Sequence, residues 1–229
     1  MSKAPRIHLQ TAWDAVGGLS EPSKMPDYSH SIPAKYCKVG SVLRKVLGST
    51  CGGCYALKGR YVFPNVADAL ERRYRLLDNP AWVDAMSELI NALVKEREYV
   101  DSDGNTRTGK HFRWHDAGDI QSVEHLRRIV LVALNTPTVS HWLPTREYRM
   151  VADYRKAYGE FPDNLTVRQS AHMIGKPGPL GYGLPVSSVT TTHTMPDASV
   201  CEAGTREGKC GPCRACWDVN VAHITYPKH

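Results

Sequence analysis

Residues 111–143 read HFRWHDAGDIQSVEHLRRIVLVALNTPTVSHWL. The stretch opens on a segment of strand character, HFRWH at 111–115, and closes on another, VSHWL at 139–143. Between them, residues 122–134 put Leu126, Ile129, Val130 and Leu134 at helical spacing, and Ser122 stands where an N-cap belongs. Strand, helix and strand in so short a span is the pattern of a parallel crossover unit.

The alternation continues on both sides. Residues 65–78 carry Val66, Ala69, Leu70, Tyr74 and Leu77 at helical spacing, and residues 80–98 carry Val83, Met86, Ile90, Leu93 and Val94. Asn79 is a natural N-cap for the second helix, with Pro80 at its first position. DSDGNTRTGK at 101–110 reads as a polar turn, 147–158 as a helix, and NLTVRQS at 164–170 as a third strand. A proline- and glycine-rich loop, 175–185, leads to a fourth strand, VSSVTT, at 186–191. No internal repeat or low-complexity tract interrupts the pattern. The expectation is an α/β fold, a parallel sheet with helices packed on it, in the form of an incomplete or irregular (β/α) barrel. Residues 1–229 are expected to form one domain, with cysteine-bearing segments 31–60 and 198–217 closing over a core at 61–197.

Composition removes several classes. Of 229 residues 41% are apolar and 23% charged, so a core forms without disulfide staples. No apolar run approaches the roughly 18–20 residues of a membrane helix. The first residues lack the basic-then-apolar pattern of a signal peptide, so neither secretion nor membrane insertion is expected. The net charge of +6 permits nucleic-acid contact without demanding it. Arg72, Arg73 and Arg75, and likewise Arg127 and Arg128, read as solvated helix faces.

The seven cysteines fall in two groups separated by a long cysteine-free body. The late group is Cys201, Cys210, Cys213 and Cys216, ending in a C-x2-C-x2-C run. Two-residue spacers turn successive thiolates toward one inorganic centre. The run resembles the one that holds a [4Fe–4S] cube, whereas structural zinc uses two separate C-x2-C knuckles. Gly211 and Pro212 supply the tight turn between the first two thiols of the run. The early group is Cys37, Cys51 and Cys54, the last two separated by Gly52 and Gly53. Three thiolates on a cube leave one iron open to a ligand. A redox pair at Cys51 and Cys54, or a zinc site completed by histidine, remains open for this group. Seven ligands divide either into two cubes, one short of a ligand, or into one larger fused cluster.

In a parallel sheet, ligands bind at the carboxyl ends of the strands. That rule selects His115, Asp116 and Asp119 after the first strand, as candidate catalytic residues. It selects Thr145, Arg146 and Glu147 after the second, and Arg168, Ser170 and His172 on or beyond the third. Arg146, Arg168 and Ser170 are the candidate cofactor-binding residues, since arginine holds carboxylate or phosphate bidentately. The competing reading for Asp119 or Ser122 is a helix cap, for Arg146 and Glu147 a surface pair, and for His172 a satisfied loop histidine.

CGGCYALKG, then FRWHDAGDIQSVEHLRRIVLVALNTP, then CGPCRACW near the C-terminus, resembles the bacteriophage family named after gene product eighty-eight. The resemblance runs from about Ser31 to the C-terminus, and it implies a phage protein acting in the bacterial cytoplasm. More distantly, an early cysteine triplet followed by β/α units is similar to radical S-adenosylmethionine (SAM) enzymes, which bind SAM at the open iron of a [4Fe–4S] cluster. Those enzymes use C-x3-C-x2-C, whereas here thirteen residues separate Cys37 from Cys51; C-x2-C followed by an aromatic, Tyr55, is the shared feature.

The leading expectation is therefore an iron–sulfur protein with redox or SAM-type activity on a small-molecule substrate, supplied by a host electron donor. One alternative is a zinc-binding module contacting host nucleic acid or a host regulator. Another is an electron-transfer or cluster-storage protein with no substrate.

Overall fold

The computed structural model describes residues 4–191 and 195–228. Six α-helices and eight strands are built from them. The helices are α1 (Ala4–Val16), α2 (Lys38–Leu43), α3 (Pro64–Arg75), α4 (Trp82–Leu93), α5 (Val123–Asn135) and α6 (Tyr148–Tyr158). The strands are β1 (Ser29–His30), β2 (Arg97–Val100), β3 (Thr106–Trp114), β4 (Val139–Thr145), β5 (Leu165–Ser170), β6 (Val186–Thr190), β7 (Ser199–Val200) and β8 (His223–Pro227).

The strands join in the order β1-β3-β4-β5-β6-β8-β7, every pair parallel, and β2 adds to β3 as an antiparallel ribbon. The fold is thus α/β around a parallel sheet. The sheet is open: it does not close on itself as the expected barrel would. From β3 to β6 each strand adds on the same side of its predecessor. Right-handed crossovers in one direction place their helices on one face of the sheet. Accordingly α4, α5 and α6 lie side by side, with α1 against α4.

That helix-covered face holds the core. Strand pleating sends alternate side chains to opposite faces, so Phe112 and Trp114 of β3 meet Leu126 and Ile129 of α5, and Trp82, Met86, Leu89 and Ile90 of α4 pack beneath. All eight are fully buried, each contributing about 1.5–3 kcal/mol of apolar burial. His111 and Arg113, the intervening residues of β3, project to the other face. There Trp217 covers the sheet: its indole donates to the Phe112 carbonyl at 2.8 Å and packs edge-on to Trp142 and His111.

Several expected boundaries shift. The helix expected over 80–98 ends at Leu93, because residues 97–100 pair with 106–109 across the Asp101–Gly104 turn. The polar turn at 101–110 is accordingly shorter, and β3 begins at Thr106. Asn79 does not cap α4, which starts at Trp82 with Ala81 as its N-cap; its side chain accepts from the Ala81 N–H and its carbonyl from the Trp82 N–H, closing a turn ahead of the helix that includes Pro80. Ser122 caps α5 as expected, accepting from the His125 N–H at 3.0 Å. Arg73 is not on a solvated face: it is buried and donates to the Gly18 carbonyl and the Ser20 hydroxyl. Arg128 donates to the Leu77 and Asn79 carbonyls. Part of the expected fourth strand, residue 191, lies beyond β6, which ends at Thr190.

Among the described residues, no helix is long and apolar enough to cross a membrane.

Candidate metal centre

The strand-end residues singled out by the parallel-sheet rule are the posts to which the cysteine loops are tied. Gly118 sets the first of them. Its φ of +83° is the left-handed region, and a Cβ there would stand 2.4 Å from Ile32 Cγ1. The DAGD turn therefore lies against Ser31 and Ile32, where the chain enters the early cysteine segment, and Ile32 donates to the Ala117 carbonyl.

Asp116 and Asp119 divide the work from that turn. Asp116 receives the Tyr61 hydroxyl at 2.7 Å on its carboxylate and the Tyr55 hydroxyl on its carbonyl, binding the chain just beyond Cys54. Asp119 is buried and accepts from the Ile120 N–H, the Thr145 hydroxyl and the Arg146 N–H at 2.6–2.9 Å. Burial pushes its carboxyl up to about 6 against those donors.

Glu147, also buried, accepts from the Lys38 and Val39 N–H groups at 3.1 and 2.8 Å. It thereby fixes the start of α2, whose N-cap is Cys37. Arg146 and Glu147 do not pair at the surface. Arg146 Nε donates to the Thr50 hydroxyl and the Ala171 carbonyl, and Thr50 donates to the His172 carbonyl, so the residue before Cys51 is held at the ends of β4 and β5. His172 stacks on Tyr148 at 4.2 Å and contacts the Arg146 carbonyl.

The three early sulfurs share this enclosure. The Cys37 and Cys51 sulfurs lie 3.7 and 3.6 Å from where a Cβ on Gly40 would stand. Burial pushes the Cys37 thiol well above its ordinary value, reinforced by Asp119, Cys54, Cys51 and Glu147. Cys51 is raised too, chiefly by burial, with Arg146 opposing.

Arg168 serves the late group. Its buried guanidinium donates to four main-chain carbonyls, those of Val186, Val221, Ala215 and Asp218, at 2.8–3.3 Å. The Thr166 hydroxyl donates to the Trp217 carbonyl, so β5 grips the chain on both sides of Cys216. Ser170 accepts from Ser187 and lies on the same face. Cys201 donates its N–H to Thr225 and Cys210 to Lys24. Arg214 closes the turn that follows Cys210, donating to the Gly211 and Cys213 carbonyls at 2.7 Å. The Cys216 sulfur is 3.2 Å from the Tyr226 hydroxyl, and burial pushes its thiol up to about 12. Cys201 and Cys210 are also raised, mainly by burial, with Arg206 and Arg113 respectively among the opposing charges.

Each buried thiol feels the other thiols of its own group: Cys37 those of Cys51 and Cys54, Cys210 those of Cys201 and Cys213, Cys216 those of Cys201 and Cys210. Among the described residues, no three Cys, His, Asp or Glu side chains converge as ligands of one metal ion. The donor chemistry nonetheless fits a cluster. The sulfurs are soft donors whose protons are held by desolvation, a cation would have to displace those protons, and arginines oppose the rise at Cys51, Cys201 and Cys210.

Two residues escaped the reading of the sequence. Arg113 is half-buried, lies over Trp142 at 4.4 Å, and has an Nε without a partner among the described residues. Its charge is felt by Tyr55 and Asp116 on the early side and by Tyr226 and Cys216 on the late side. The signal was its place in FRWH: Phe112 and Trp114 face the helices, so Arg113 faces the cysteines. Trp217 was marked only by following Cys216. In contrast, His115 turns away from the cysteines. It adopts φ +55° and packs against His125 at 5.4 Å, near His30. Burial holds its ring far below the ordinary histidine range, and neither ring nitrogen has a partner among the described residues.

A family model described as Gene product 88 matches residues 8–219. No curated protein and no solved structure matches the chain.

Proposed function

The chain belongs to the bacteriophage Gene product 88 family, and we propose that it is an iron–sulfur protein carrying two separate clusters, one at the carboxyl ends of its strands and one on the sheet face opposite α4, α5 and α6. Cys37, Cys51 and Cys54 would hold the first, and Cys201, Cys210, Cys213 and Cys216 the second. The observation that carries this reading is that two separate sets of hydrogen bonds position the two groups: Glu147, Arg146 and Asp116 at the strand ends hold the early segment, and Arg168 and Thr166 of β5 hold the late one. Two self-contained groups favour two clusters over one fused cluster.

When bound, such clusters supply one-electron chemistry, and a three-cysteine cluster offers an iron open to a ligand such as SAM or a small-molecule substrate. The chain supplies position and charge. Glu147 fixes Cys37 through the start of α2, Arg146 and Thr50 fix Cys51, and Asp116 fixes Tyr55 and Tyr61 beside Cys54. Arg168, Thr166 and Trp217 fix Cys216. Arg113, Arg168 and Arg214 lower the cost of burying negatively charged thiolate ligands. Hydrogen bonds to sulfur, from Ala215 N–H to Cys213 and between Cys216 and Tyr226, would tune a centre held there.

The reading is tested by removing one group at a time. Cys213→Ser should abolish the late cluster and leave the early one; Cys51→Ser should do the reverse. Iron and sulfide unchanged in both variants, or lost completely in each while the fold persists, would reject two separate centres.

A further inference from the structure

We propose that residues 42–48, beside the CGGC loop, form the docking face for an acidic, electron-donating protein. The electron-transfer part rests on the reading that the early cysteines hold a cluster; the docking is measurable without it.

From Tyr28 to Ala67 the chain contains no Asp or Glu, yet it contains Lys35, Lys38, Arg44, Lys45, Lys58 and Arg60. Within this stretch Val42, Val46 and Leu47 are exposed, Leu47 at 98%. A cleft of about 490 Å³ runs beside them, and among the described residues its lining includes Arg44, Lys45 and Lys228 but no carboxylate side chain. Gly52 and Gly53 also line it. Both are exposed, and the space where a Gly53 Cβ would stand is open. A partner seated here touches the main chain between Cys51 and Cys54 with no side chain intervening.

Exposed aliphatic groups ringed by cations match the apolar centre and charged rim of a protein interface. Uniform positive charge selects an acidic partner and speeds its approach. Single-stranded nucleic acid is the poorer match, because among the described residues the cleft lining offers no aromatic ring on which a base can stack. In the transfer, one electron leaves the reduced centre of the donor, which is oxidised, and enters the early cluster, which is reduced. No bond forms or breaks, and no proton has to move.

The probe is an acidic plant-type [2Fe–2S] ferredoxin, titrated calorimetrically into the full chain at low ionic strength. Binding that weakens with salt is expected. Arg44→Glu with Lys45→Glu, and separately Leu47→Asp, should each weaken it about tenfold or more. Arg149→Glu, an exposed cation on α6, should leave it unchanged. Reduction of the chain by reduced ferredoxin should slow about tenfold in the Arg44/Lys45 double variant, while reduction by dithionite stays the same. No binding, equal weakening by Arg149→Glu, or displacement of ferredoxin by a single-stranded oligonucleotide would overturn the docking proposal. Absence of iron, read before the titration, would overturn the cluster reading instead.

Discussion

Replacing Arg168 by Met removes the clamp that holds the late cysteine segment to the sheet. The guanidinium donates four hydrogen bonds to carbonyls at 2.8–3.3 Å, two of them within two residues of Cys216. A hydrogen bond to a charged group contributes about 1.5–3 kcal/mol net. The four are not additive, since one side chain makes them all and its burial is itself costly. Methionine fills much of the same volume, so the loss is chiefly that of carbonyls left without donors. The expected destabilisation is about 3–5 kcal/mol in urea unfolding followed by tryptophan fluorescence. Arg168→Lys should recover little, because one ammonium on a flexible stem cannot reproduce the planar fork. The loss should also be local: late-cluster iron falls while early-cluster iron stays. A drop below about 1 kcal/mol, or equal loss of both clusters, would refute the clamp.

Three further outcomes follow from the same geometry. His125 and His141 are held down to about 3 and His111 to about 4, mainly by burial. The unfolded chain therefore binds more protons below pH 6.5, and each histidine should cost roughly 1 kcal/mol of stability between pH 6.5 and 5.5. Asp119, raised to about 6, acts in the opposite sense and offsets part of this loss; a urea midpoint that rises on acidification to pH 5.5 would contradict the balance. Glu147→Gln should cost about 1 kcal/mol as the charged cap on α2 is lost, and a chelator should strip the early cluster faster than the late one. Gly40→Ala improves helix propensity, yet its Cβ would stand 2.9 Å from Cys37 Cβ and within 4 Å of two sulfurs; early-cluster iron should fall with the fold intact, as read by iron analysis and circular dichroism.

The crossover unit at 111–143 was legible because its periodicities are strong and its cap is a serine at the right place. The end of α4 was not. Residues 94–98 carry no helix breaker, and only pairing with 106–109 draws 97–100 into a strand. β8 was missed because HITYP is short and is defined by its partners β6 and β7. The openness of the sheet was likewise invisible, since unidirectional strand addition is compatible with either closure or an edge. At the strand ends that the rule for parallel sheets singles out, the polar residues act on main chain. Asp119, Arg146 and Arg168 spend their polar atoms on loop backbone and neighbouring hydroxyls, which no pattern in a single sequence specifies. His115 looked catalytic beside two aspartates, and its left-handed backbone turns it into the helix layer.

The most direct test of the account is the metal and acid-labile sulfide content of the anaerobically purified chain, with electron paramagnetic resonance of the dithionite-reduced sample. Two cubes require about eight irons and eight sulfides per chain, with low-temperature signals from two separable centres. One or two zinc ions without iron or sulfide would contradict it, and the two cysteine groups would then be structural metal sites.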